Sequence, residues 1–195
     1  MKIMILASKS PRRKEILTQL GFQLQIKSKE IEEISDKEGI IDQIKDISLK
    51  KVLAVALENP KEYVVGADTL VEIDGIILGK PKDREDAENM LKLLSGKIHR
   101  VITAYTFMNL EKNISVTNHV ESSVYFKKIS DKEINWYLDS GEPMDKAGAY
   151  GIQGLGAIFV DKIDGDFFSI MGFPINNFIK TLNMLGITVE SLNKI

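Results

Sequence analysis

One aspartate, Asp68, stands among residues that cannot solvate it, in the run Tyr63-Val64-Val65-Gly66-Ala67-Asp68-Thr69-Leu70-Val71. The apolar residues read as a buried strand, and Asp74-Gly75 is a turn signal. Ile76-Ile77-Leu78 then run back toward Gly79-Lys80-Pro81. This stretch predicts a β-hairpin with an acid, Asp68, on one arm and a base, Lys80, at the end of the other. Such a pair on rigid strands suits chemistry on a charged substrate. A second reactive group comes earlier, in Ser8-Lys9-Ser10-Pro11-Arg12-Arg13, after the strand-like Ile3-Met4-Ile5-Leu6. Ser10 is a good N-cap, Pro11 suits the first helical position, and Gly21 is placed to stop the helix. A helix start offers free N–H groups and a favourable dipole to phosphate, and arginine binds phosphate through two donors at once. The competing reading is a solvated, charged first turn. Positive charge opposes the helix dipole there, which favours the anion site.

The remaining elements must position these groups. Glu30, Glu32 and Glu33 lie close together after a short strand. Alone, such a cluster reads first as solvated surface and second as a site for magnesium, which takes carboxylates and water. Ile40, Ile41, Ile44 and Ile47, continuing to Val55, have helical spacing. Lys50 and Lys51 lie in that helix about 100° apart, so only one is expected to face a pocket. A helix capped by Asp83 and closed by Gly96 follows, then strands from Val101 to Met108 and Ile114 to Lys127. Ser130 and Glu133 form a capping box for a helix ending near Gly141, with Trp136 and Tyr137 expected in the core. The first helix is expected to bury Ile16, Leu17 and Leu20. The glycine-rich segment from Gly141 to Gly154 reads as a functional loop whose backbone approaches a ligand. Ala157–Ile163 and Phe167–Met171 read as a hairpin around Asp164-Gly165, before a last helix over Asn176–Leu185.

Composition bounds the function. The 195 residues, 44% apolar and 28% charged, suit one globular domain covering 1–195. A net charge of −2 gives no overall attraction to nucleic acid or to an anionic membrane. Without cysteine there is no thiol catalysis or thiolate metal site. The opening apolar run is too short for a signal-peptide core, and no run approaches the roughly 20 residues of a membrane span, so a soluble cytoplasmic protein is expected. His99 and His119 are the only histidines; His99 is expected to orient a neighbour by a hydrogen bond. Gly75 to Pro81 fails as a Walker loop, because the spacing is short and proline stands where a hydroxyl must bind magnesium. No dinucleotide fingerprint or Ser-His-Asp signature appears.

Leu6-Ala7-Ser8 with Ser10-Pro11-Arg12-Arg13, Gly66-Ala67-Asp68-Thr69, Gly79-Lys80-Pro81, Leu94-Ser95-Gly96 with His99, and Asp145 through Gly154 closely resemble the Maf family of nucleoside triphosphate pyrophosphatases. The matches run in order over residues 3 to 174. The resemblance implies an α/β fold similar to the inosine triphosphatases: an elongated mixed sheet flanked by helices, with two lobes around a nucleotide-binding cleft. It implies hydrolysis between the α- and β-phosphates, giving a monophosphate and pyrophosphate, with a divalent cation, Mg2+ or Mn2+. The residues suit that chemistry. Ser8, Arg13, Lys51 and Lys80 can bind the phosphates and the charge that develops on the leaving group. Glu33 and Asp68 can hold the metal, and the resemblance also implies Asp68 as the proposed general base for water, two roles that the sequence does not separate.

The resemblance also bears on substrate choice. The dTTP/UTP branch is similar to this chain in having Arg12 before Arg13, Thr69 after Asp68, and Gln153 in Gly-Ile-Gln-Gly. The branch acting on 7-methylguanosine triphosphate typically has tryptophan, glutamine and glutamate at those places. The Gln153 amide offers a donor and an acceptor to the C4 oxygen and N3–H of a pyrimidine, whereas glutamate only accepts. Phe173 replaces the usual leucine before Pro174, and Lys50-Lys51-Val52 stands where Lys-Ala is common, which leaves Lys51 preferred over Lys50. Homodimerisation is a further expectation of the resemblance, as is a nucleotide-binding role in septum formation, the competing function.

Overall fold

In the computed structural model the described residues are 3–193; Met1, Lys2, Lys194 and Ile195, included in the expected 1–195 domain, lie outside them. The strands are β1 (Met4–Leu6), β2 (Leu24–Ile26), β3 (Val64–Ile73), β4 (Ile76–Leu78), β5 (Ile98–Asn109), β6 (Ile114–Phe126) and β7 (Val160–Asp164). They form a mixed sheet of order β2-β1-β3-β5-β6-β7, with β4 paired to β3 off this path. The helices are α1 (Pro11–Gln19), α2 (Ile40–Ala56), α3 (Arg84–Leu94), α4 (Asp131–Asp139), α5 (Phe167–Met171), α6 (Ile175–Met184) and α7 (Val189–Asn193). The class is therefore α/β with a mixed sheet. No helix of the described residues is long and apolar enough to cross a membrane.

The backbone groups into two compact units, one running to Asp68 and adding Thr103–Val120 and the residues from Gly172, the other comprising Thr69–Ile102 and Glu121–Met171. In the first unit β1 runs parallel to β2 and to β3, with Ile5 opposite Val64 and Leu6 opposite Val65. Parallel strands need covered faces, and α2 covers one of them by burying Val52, Val55 and Ala56 against Ile5, Ala7 and Val64. Gly66 sets how closely α2 can lie: a Cβ there would come within 2.7 Å of Val52 and 3.3 Å of Ala7 Cβ. Phe178 of α6 packs edge-on against Tyr105, Phe107 and Phe173.

In the second unit α3 and α4 bury Leu91, Leu94, Ile134 and Tyr137 with Val101, Phe126 and Phe159. The local signals for these helices hold: Asp83 accepts the Asp86 N–H, and Ser130 and Glu133 complete a capping box. Trp136 differs from expectation, being 47% exposed while Tyr137 is buried. Adjacent helical residues point about 100° apart, and the core takes Ile134, Tyr137 and Leu138. Leu20 is likewise exposed, because it is the C-cap of α1, where the chain leaves the helix. The hairpin expected from Ala157 to Met171 does not form. β7 pairs with β6 instead, and Phe167–Met171 is the helix α5. The Asp166 carboxylate accepts the N–H groups of Phe168 (2.8 Å) and Ser169 (3.3 Å), so a side-chain cap wins over a strand ladder.

His99 lies in this second core, 1% exposed, with Nε2 2.8 Å from the Tyr150 hydroxyl and edge-on contacts to Phe126 and Tyr150. Burial lowers its pKa from 6.5 to about 4. A folded pKa below the unfolded one means that the unfolded chain binds the proton first. The stability held by neutral His99 is therefore complete above pH 6.5 and lost as pH falls toward 4. About 1.5 kcal/mol should disappear between pH 6.5 and about pH 5, above most carboxylate titrations. Urea unfolding of wild type and His99→Gln over that range measures it; equal pH slopes would rule out His99 as the source.

Candidate active site

The site in the first unit starts from the turn between β1 and α1. Ser10 caps α1 by accepting the Arg13 N–H at 3.5 Å, with Pro11 opening the helix. Ser8 is buried, and its Oγ accepts the Ser10 N–H and Arg13 Nη1, each at 3.2 Å. Arg13 Nε donates to the Gly172 carbonyl at 2.9 Å. The guanidinium is thus fixed at two of its nitrogens across a long stretch of chain. Its pKa is pushed below the ordinary guanidinium value, first by desolvation, with the charge of Asp68 opposing that shift. Arg12 is half-buried beside it and lowers the Arg13 pKa further by like charge.

The acids converge on one ammonium. Lys51 Nζ donates to Asp68 Oδ1 at 2.6 Å and lies 2.9 Å from Glu33 Oε1. The Lys51 and Asp68 side chains are 16% and 17% exposed, so their attraction is screened less than that of a surface pair; Glu33, at 59%, is open to solvent. Lys50 points elsewhere, to Asp46 and to the Ile34 carbonyl, both at 2.8 Å. The second contact ties the Glu33 segment to α2, so each of the two lysines holds this segment at a different place. Of the three clustered glutamates, Glu33 is the one that reaches Lys51; Glu30 and Glu32 have no such ion pair among the described residues.

Among the described residues no three acids or histidines gather as a ready-made metal cage. Two carboxylates drawn to one cation still fit magnesium, which is usually bound by one or two carboxylates together with substrate phosphates.

The residues Lys80, Thr69 and Gln153 belong to the second unit. Thr69 is half-buried in β3, immediately after Asp68. Lys80 is exposed beyond β4, whose register places Leu78 opposite Val71, and the preceding Gly79 carbonyl accepts the Gly148 N–H at 3.0 Å. Gln153 is exposed at a turn. The glycines around it lie close against the protein's own side chains. A Cβ at Gly148 would meet Val71 at 3.0 Å, one at Gly151 would meet Lys146 at 2.6 Å, and one at Gly156 would meet Tyr137 Oη at 2.8 Å. These three glycines make room for the protein's own atoms, whereas a Cβ at Gly141 would meet nothing within 4 Å.

A family model described as Maf-like protein matches residues 3–185. The chain belongs to the Maf family. Among relatives, a dTTP/UTP pyrophosphatase of Fusobacterium nucleatum is 56% identical over 98% of this chain and 100% of its own length. One from Bacillus pumilus is 46% identical over 96% of this chain and 99% of its own length. One from Clostridioides difficile is 47% identical over 88% and 89%. Among solved structures, the Staphylococcus aureus Ham1 protein aligns over 64% of this chain and 72% of its own, with 14% identity and a TM-score of 0.48, a likeness too slight to build on. In this Maf protein the residue that motif reading passed over is Glu142, which organises the turn carrying Gln153. Its only sequence signal is a carboxylate opening a glycine-rich segment.

Proposed function

We propose that this Maf protein is a dTTP/UTP pyrophosphatase, hydrolysing pyrimidine nucleoside triphosphates between the α- and β-phosphates. The observation that carries the reading is the convergence of Asp68 and Glu33 on Lys51 in the unit that fixes Ser8 and Arg13 for an anion. The near-full-length likeness to dTTP/UTP pyrophosphatases supports it. In this reading Ser8 and Arg13 bind phosphate oxygens, with bidentate arginine geometry supplying orientation as well as charge. Lys51 and Lys80 offset the negative charge that grows on the leaving pyrophosphate as the bond from the α-phosphorus to the bridging oxygen breaks. The oxygen of water forms the new bond to the α-phosphorus, and its proton passes to a carboxylate, for which Asp68 is the choice. A divalent cation, Mg2+ or Mn2+, held by Glu33 and Asp68, supplies charge neutralisation and polarisation of the phosphates when bound. Base and metal ligand are both open to Asp68, and the pH dependence of turnover with and without excess cation separates them.

Arg12, Thr69 and Gln153 set the substrate class, with the Gln153 amide reading the C4 oxygen and N3–H of uracil or thymine. Residues 1–195 act as one domain in the cytoplasm; β3, β5 and β6 each have residues in both compact units, so neither unit can be cut out without severing strands.

The test is a panel of nucleoside triphosphates with magnesium or manganese, resolved by product. Wild type should release pyrophosphate from dTTP and UTP in preference to GTP and 7-methylguanosine triphosphate; indifference to all of them would end the enzyme reading. Gln153→Glu should reduce kcat/KM for dTTP and UTP by about 10- to 100-fold, the cost of mismatched polar groups against the bound base. An unchanged substrate profile would contradict the role of Gln153.

A further inference from the structure

The turn that carries Gln153 is wound around a carboxylate that no step above uses. Glu142 Oε1 accepts the Tyr137 hydroxyl at 2.9 Å and the Gly156 N–H at 3.2 Å, and Oε2 accepts the Leu155 N–H at 2.9 Å. The Tyr137 oxygen in turn accepts the Gly151 N–H at 3.1 Å. Gln153 is therefore bracketed. The chain before it is tied through Gly151 to Tyr137, and the chain after it through Leu155 and Gly156 to Glu142. Gly154 presses on the same carboxylate so closely that a Cβ there would overlap it. The Lys146 ammonium donates to the Glu142 backbone carbonyl at 2.8 Å and to Asp145 Oδ1 at 2.5 Å, which fixes the near end of the segment.

The charge states suit this role. Desolvation pushes the Glu142 pKa up, but the hydrogen bonds from Leu155, Tyr137 and Gly156 and the charge of Lys146 outweigh it and the net shift is downward. Tyr137, fully buried, is shifted upward by burial and by its bond to Glu142, so its hydroxyl remains a donor. Gln153 itself makes no side-chain hydrogen bond among the described residues and is exposed, so its direction is set by the backbone of the turn alone. Three donors meet one acceptor-only group. A glutamine at 142 would offer one oxygen and one NH2, and the NH2 would oppose at least one of the three N–H or O–H groups.

We propose that Glu142, braced by Tyr137, is a positioning residue that sets the turn carrying Gln153 and thereby the preference for pyrimidine over purine nucleotides. This rests on the reading of Gln153 as the base-contacting residue. Loss of the carboxylate leaves the phosphate-binding and water-activating residues of the first unit untouched. The effect falls on recognition, which is seen in KM and in substrate ratio, and not on the chemical step.

The experiment compares the full-length wild type with Glu142→Gln, Tyr137→Phe and the double variant, by kinetics with dTTP and GTP and by hydrogen exchange of backbone amides. In Glu142→Gln the amides of Leu155 and Gly156 should exchange at least about tenfold faster while those of β5 keep their protection. KM for dTTP should rise about tenfold with kcat within about threefold, and the dTTP-to-GTP ratio of kcat/KM should fall. Tyr137→Phe should move in the same direction and add less than its full effect to the double variant, because the two residues act on one turn. A purely structural role would lower stability without changing the substrate ratio. Glu142→Gln with wild-type exchange at Leu155 and Gly156, or with wild-type KM and substrate ratio, would overturn the proposal. A wild type that ignores both dTTP and UTP would instead bring down the assigned activity, and the exchange measurement would still judge the hold of Glu142 on the turn.

Discussion

Asp68→Asn should lower dTTP and UTP turnover about a thousandfold or more while leaving the protein folded and able to bind nucleotide. The substitution is nearly isosteric. It removes the carboxylate that would accept the water proton or hold the cation, and it keeps an oxygen to accept from Lys51, now 2.6 Å from Asp68 Oδ1. The side chain is mostly buried in β3, and packing around it is preserved. Binding of a non-hydrolysable dTTP analogue by calorimetry, beside pyrophosphate release, separates loss of chemistry from loss of affinity. Near-wild-type turnover would remove Asp68 from the reaction. A lost thermal transition would show that the aspartate acts first through the fold.

Lys51→Met should be the second most damaging change, and it should reduce both activity and stability. Turnover should fall about 10²- to 10³-fold, as for removal of one preorganised donor to developing charge. The substitution would also leave two carboxylates, Asp68 and Glu33, drawn together with no ammonium between them, and the less exposed Asp68 would lose its charge partner. Removing one partner of a mostly buried ion pair is costly, about 3 kcal/mol where burial is complete and less here because Glu33 is open to water. A divalent cation should compensate in part. The rise in Tm on adding magnesium should be larger in Lys51→Met than in wild type, because a ligand that binds only the folded state stabilises it. An equal magnesium response in both proteins, measured by scanning calorimetry, would argue against Glu33 and Asp68 as the cation site. Lys50→Met is the matched control. The Lys50 ammonium sits on Asp46 and the Ile34 carbonyl, and turnover should change far less.

Features set by near neighbours in the chain were legible from the residues. The Ser10-Pro11 start of α1, the Asp83 cap of α3, the Ser130–Glu133 capping box and the Asp74-Gly75 turn all form as their local chemistry dictates. The α/β class was implied by the resemblance to the Maf family, and the local strand and helix periods, which depend on residues a few positions apart, agree with it. Errors came where a local pattern met a choice that only packing makes. Trp136 and Tyr137 are both apolar enough for the core, yet the buried face of α4 is made by Ile134, Tyr137 and Leu138, and Trp136 lies off it. Phe167–Met171 is apolar enough to read as a strand, but the carboxylate of Asp166 supplies the cap that starts a helix.

The candidate site divides the same way. By itself the sequence determined which residue types were present for chemistry: a lone acid in a buried strand, a serine and arginine at a helix start, and lysines and glutamates nearby in number. Those inferences need only composition, spacing and the solvation cost of charge. Only the tertiary structure decided which partners meet. Of two adjacent lysines it brought Lys51 to Asp68, and of three glutamates it brought Glu33 to the same ammonium. It also placed Glu142 under the Gln153 turn, a relation between distant residues that no local period encodes. Coulomb attraction and hydrogen bonding act over a few ångströms in space, whereas sequence patterns report only distance along the chain.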